Sequence, residues 1–172
     1  MNALFYTAAA VAVISTILVI TRLNPVHALL YLIVSLMSVA LIFYLLGAPF
    51  AAALEVIVYA GAIMVLFVFV VMMLNRGPQT VGQERGWITT GMWWGPCLLA
   101  AVLLAELLYV LFTGGDAAVA GRPVETKAVG TALFGPYLLG VELASLLLLA
   151  GLVGAYHLGR RPLESKPRKE EG

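Results

Sequence analysis

The chain has 172 residues, of which 62% are hydrophobic and 11% charged, with a formal net charge of +1 and a mean hydropathy of +1.01. No soluble domain with a wet surface has that composition, so this is an integral membrane protein, and without a basic stripe nucleic-acid binding has nothing to rest on. The one cysteine, Cys97, cannot by itself make a disulfide, a tetrathiolate zinc site or an iron–sulfur cluster.

Apolar windows long enough to cross about 30 Å of hydrocarbon fall at 3–21, 26–46, 52–74, 92–113 and 134–157. They predict an all-α membrane domain of five spans over residues 1–159, followed by a polar, proline-broken tail, 160–172. The first span has no positive n-region before it; its first basic residue, Arg22, follows the apolar run, so it reads as a retained anchor. Asn24 is placed to cap the second span, with Pro25 at its first helical position. Gly47 and Pro49 turn the chain into the third span, and Asn75 with Gly77-Pro78 ends it. Trp87, Trp93 and Trp94 cluster at the start of the fourth, where indole rings favour the headgroup boundary.

Orientation follows from the ten basic residues. With the N-terminus outside, Arg22, Arg76, Arg85, Arg160, Arg161, Lys166, Arg168 and Lys169 fall on the inner side, and only Arg122 and Lys127 on the outer. The expectation is therefore N-out and C-in. A P-loop, a dinucleotide glycine fingerprint and a zinc-helix motif are missing from the sequence, and no internal repeat supports a transporter built from inverted halves.

Candidate chemistry lies with ionisable groups at membrane depth, which cost a few kcal/mol to insert and invite a partner. Glu55 stands about one turn into the third span, close enough to the interface to snorkel, but Tyr59 follows at i+4 on the same helix face. Carboxylate and phenol together make two steps of a hydrated proton path. Glu142 and Glu106 are the deeper acids, at similar depth. If their helices touched there, both could not stay charged and a proton would be shared; the bland reading is that each is neutral and hydrogen-bonded for packing. His27 and His157 lie near the inner helix ends, where two histidines can ligate a haem, although interfacial histidines mostly carry no ligand.

Small residues in membrane helices usually mark close packing, as Gly140/Ala144 and Gly151/Ala155 do in the fifth span. Ala60, Gly61 and Ala62 are consecutive and strip bulk from every side of one turn of the third span, among bulky Ile57, Val58, Ile63, Val65 and Phe67. Such a turn accommodates an extra residue as a π-bulge, or serves as a packing notch.

The segments NPVHALLYLIVS, ALEVIVYAGAIMVLFVFVVMMLN and LFGPYLLGVELASLLLLAGLVGAYHLGR closely resemble the J-type subunits of bacterial proton-translocating NADH:quinone oxidoreductase, respiratory complex I, whose mitochondrial counterpart is subunit 6. The resemblance is strong in the second, third and fifth spans; the first and fourth match only as apolar helices. It implies a multi-pass subunit of the bacterial inner membrane, set in the membrane arm near the quinone-reducing region and beside K-, A- and H-type subunits. It implies no prosthetic group in this chain and no electron-transfer site of its own; NADH, FMN, iron–sulfur clusters and quinone belong to the complex. Carried over, Tyr59, Gly61, Met64 and Val65 match a mobile segment of the third helix that forms or relaxes a π-bulge. Glu55 matches the acid before it and Glu142 the VELAS segment, whereas Glu106 lies outside the pattern. The competing classes are a stand-alone proton or cation transporter using Glu55, Glu106 and Glu142, and a haem-bearing membrane anchor.

Overall fold

The computed structural model describes residues 2–74, 93–113 and 123–159, and the regular structure among them is helical. Helices α1 (Asn2–Thr21) and α2 (Pro25–Leu45) are the first two spans. The third is α3 (Pro49–Leu54), a π-helical segment (Glu55–Ile63) and α4 (Met64–Leu74) in one run. Helix α5 (Trp94–Phe112) is the fourth, and a short α6 (Thr126–Leu133) leads into α7 (Leu138–Gly159), the fifth. The helices long and apolar enough to cross a membrane are Ala3–Thr21, Pro25–Leu45, Pro49–Met73, Trp94–Phe112 and Leu138–Gly159. Asn75, the 77–86 loop, Trp87 and the 160–172 tail lie outside the described residues.

Local chemistry sets the ends. Asn24 is extended and its Oδ1 accepts from the Val26 N–H at 3.0 Å, with Pro25 at the first helical position, so α2 starts where a cap and a pre-set φ coincide. It stops at Gly47, whose φ of 83° suits a residue without Cβ. There the Ala48 N–H bonds to Phe43 O at 2.9 Å and the Gly47 N–H to Tyr44 O at 3.0 Å, a Schellman ending. The free Gly47 carbonyl accepts the Val124 N–H at 2.8 Å.

The fifth span begins at Leu138, four residues after the window edge at 134. Pro136 has no N–H to continue the ladder. Gly135 is pressed so close to the preceding turn that a Cβ there would stand 2.7 Å from the Thr131 carbonyl oxygen. The chain therefore turns, with the Tyr137 N–H reaching back to Ala132 O at 3.1 Å, before α7 starts.

Contacts divide the chain into two compact units, Met1–Glu125 and Thr126–Gly172. In the first, one stripe each of α1, α2 and α5, with apolar side chains at i+3 and i+4 spacing, makes the core around Ala8, Val11, Val34, Leu41, Leu99 and Leu103. At one end of this core Tyr31 is buried against Gly95, whose missing Cβ leaves room for the phenol oxygen, while the Arg22 guanidinium lies 5.5 Å from the ring centroid. The third span packs on α2.

Among the described residues a small polar cluster crosses the α1–α2 seam, where Ser35 Oγ donates to Ala12 O at 3.4 Å. Thr16 Oγ1 donates to Ala12 O at 2.8 Å, and Ser35 Oγ lies 2.9 Å from the same hydroxyl. Interhelical bonds of this kind contribute about 0.6–2 kcal/mol in membranes. Ser35→Ala is therefore expected to lower the melting temperature of the chain in its purified assembly by a few degrees; an unmoved transition would show that the pair adds nothing there.

Candidate functional site: the π-helical turn of the third span

The expected irregularity in the third helix is present, and it occupies nine residues, Glu55–Ile63. In a π turn each N–H reaches back five residues instead of four, and the segment closes in that way, the Met64 N–H bonding to Tyr59 O. The local reason is Gly61. A Cβ on Gly61 would lie 3.1 Å from Val56 O, the carbonyl five residues back. That spacing is tighter than side chains ordinarily tolerate, so glycine lets the wide turn settle, and alanine neighbours at 60 and 62 add little bulk.

The turn arranges the sequence candidates around one axis. Glu55 is half-buried at its first position, Tyr59 is 52% exposed and Gly61 is exposed. Glu55 and Tyr59 thus share the segment and stand one turn apart. Just past it, Met64 is 1% exposed and Val65 64% exposed, although they are consecutive. Met64 is buried in a span that packs on α2, and Val65 is exposed.

The other candidates stand apart from this turn. Glu106 is buried at 7% exposure on the core face of α5, between Leu103 and Val110, and neither carboxyl oxygen has a hydrogen-bond partner among the described residues. A buried polar group left in that condition costs about 1–3 kcal/mol, and more if charged. The resemblance left Glu106 aside; its i+3/i+4 spacing from Leu103 and Val110 was the signal that it shares their buried stripe. Glu142 belongs to the second unit and is exposed there. His27 is buried at the start of α2, and His157 is exposed in the last turn of α7. Among the described residues no three His, Cys, Asp or Glu side chains gather as metal ligands.

Residues 15–158 match the family described as NADH-ubiquinone/plastoquinone oxidoreductase chain 6. The chain is 66% identical over 158 residues to NADH-quinone oxidoreductase subunit J of Pseudomonas aeruginosa, covering 91% of this chain and 95% of that one. It is 56% identical over 156 residues to the subunit J of Escherichia coli K12, covering 91% and 85%. Identity to the subunit J of Buchnera aphidicola from Schizaphis graminum is 49% over 160 residues, covering 93% and 98%. A match that runs from the first span to the last turn of the fifth takes in the π-helical turn and every span around it, and on that ground the chain belongs to the NADH-ubiquinone/plastoquinone oxidoreductase chain 6 family.

Proposed function

We propose that this chain is a membrane-arm subunit of a bacterial proton-translocating NADH-quinone oxidoreductase, in which the third span acts as a switchable element. The observation that carries the reading is the nine-residue π segment built around Gly61. Its relaxation to an α-helix removes one residue from the wide turn and rotates α4 by about 100° relative to α3. Met64 then leaves the α2 face, Val65 and Phe69 change the side they present to a neighbouring subunit, and the wall beside Glu55 and Tyr59 changes with them. Water is admitted or excluded accordingly, and quinone chemistry in neighbouring subunits biases the two windings by binding them unequally. Non-helical backbone is tolerable at membrane depth where protein or a hydrated cavity covers it.

In this reading Glu55, Tyr59 and Glu142 are polar steps for protons, Gly61, Met64 and Val65 belong to the switch, and electrons pass elsewhere. The lone Cys97 cannot hold an iron–sulfur cluster, so FMN, the clusters and the NADH and quinone sites are assigned to partner subunits. The K-, A- and H-type subunits are the proposed neighbours in the inner membrane, with the N-terminus outside and the C-terminus in the cytoplasm. Largely uncovered faces of the third and fifth spans suit such an environment. Proton or cation transport by the isolated chain in liposomes would instead favour the stand-alone transporter.

The reading is tested by maps of the assembled complex at rest, with a quinone-site inhibitor and during turnover. Two windings of residues 55–63 are expected; one winding in all three states rules out the switch. Tyr59→Phe separates the hydroxyl from the ring. Losing one hydrogen bond of about 0.5–1.5 kcal/mol predicts coupled turnover roughly two- to tenfold lower, measured as NADH-quinone activity with proton uptake. Unchanged turnover and an unchanged proton-to-electron ratio would leave the phenol a packing role.

A further inference from the structure

We propose that Ser15, Ser38 and Glu106 enclose an internal water site between α1, α2 and α5, separate from the π-helical turn. All three are buried, Ser15 and Ser38 completely, and the two serine Oγ atoms and both Glu106 oxygens lack a partner among the described residues. Hydroxyls in membrane helices usually bond back to the carbonyl four residues earlier. Those of Thr7, Thr16, Thr21 and Thr131 do so in this chain. The buried Ser15 and Ser38 hydroxyls make no such bond, which leaves them without a partner inside their own helices.

Helical register brings the three groups to neighbouring depths. The Thr16–Ser35 pair sets the alignment of antiparallel α1 and α2, which places Ser15 and Ser38 about 3 Å apart along the axis at 1.5 Å per residue. Tyr31 meets Gly95, each near the start of its helix. From there Ser38 is about 10 Å along α2 and Glu106 about 16 Å along α5. The glutamate side chain leans toward the start of its own helix and shortens that difference. Ser38 lies on the α2 stripe with Val34 and Leu41, and Glu106 on the α5 stripe with Leu103 and Val110; these apolar flanks belong to one core cluster. Two hydroxyls and a carboxyl group supply the two to four polar partners that a buried water requires. Water is thus the ligand class that satisfies all of them.

The inference is independent of the winding of residues 55–63, and its test leaves that winding out. The assembled complex is imaged at a resolution that shows ordered water, with the unaltered chain and with Glu106→Gln and Glu106→Leu. The expected result is at least one water peak between Ser38 Oγ and the Glu106 carboxyl group, kept in Glu106→Gln and lost in Glu106→Leu. An unaltered chain with a dry interior, or with Glu106 bonded only to protein groups, overturns the site. If Glu106→Leu does not assemble, Ser38→Ala serves in its place: displacement or loss of the peak supports the site, and an unmoved peak counts against it.

Discussion

Gly61→Leu is expected to lower coupled NADH-quinone turnover in membranes by roughly 5- to 150-fold, with proton pumping falling in parallel and NADH-ferricyanide reduction unchanged. A Cβ on residue 61 would stand 3.1 Å from Val56 O, and that oxygen is backbone, which cannot swing aside as a side chain would. Leucine adds three more carbons beyond that Cβ. Overpacking of this kind costs about 1–3 kcal/mol, and a cost borne by one winding alone shifts the equilibrium by about 5- to 150-fold. Gly61→Ala carries only the first contact and is expected to fall at the lower end of the range. Ferricyanide reduction reports the electron-input part of the complex and separates a coupling defect from failed assembly. Normal coupled rates in Gly61→Leu would discard the switch.

A comparable structural effect is expected at the other end of the first unit. Gly95→Ala places a methyl group into the Tyr31 hydroxyl, and Tyr31 is held by burial in the core cluster and by Arg22 over its ring. Its ring carbon would also stand 3.2 Å from the new Cβ, so α2 and α5 must part or the phenol must leave the core. Either response costs about 1–3 kcal/mol, read as a lower melting temperature and less chain in the purified complex. Tyr31→Phe removes the nearest atom, so the double variant is expected to recover most of the loss. The two residues are in direct contact, where non-additive effects of about 0.5–3 kcal/mol are ordinary. Additive losses would show that the contact does not set the spacing of the two helices.

The sites differ in how far they could be read beforehand. The third-span irregularity was half legible: Ala60-Gly61-Ala62 removes bulk from every side of a turn, which suits a π-bulge and a packing notch alike, and the likeness to the family pointed to the bulge. Its length was not legible: nine residues of wide winding depend on where the backbone hydrogen bonds re-form, and no residue type marks the closing bond from Met64 to Tyr59. Glu106 shows the reverse. An acid in an apolar run invites suspicion, but whether it faces lipid or core depends on which side of α5 meets α1 and α2. The fifth-span start had its signal in Gly135-Pro136, which the smooth hydropathy of residues 134–157 concealed.

Taken by itself, the sequence determined the five spans and the Asn24 and Gly47 boundaries, while LEVIVYAGAIMVLFVFVVMM carried the likeness to the family, which in turn implied the wide turn. The spans and their boundaries depend on hydrocarbon thickness, missing N–H groups, capping oxygens or missing Cβ atoms, all of which act within a turn or two of chain. Only the tertiary structure decided that Met64 is buried while Val65 beside it is exposed, that Tyr31 needs Gly95, and that Ser15, Ser38 and Glu106 are all buried in the unit built on α1, α2 and α5. In lipid an apolar residue is equally at home on every face of a helix, so periodicity fades as a guide. The facing sides are then selected by close packing between helices that are distant in sequence.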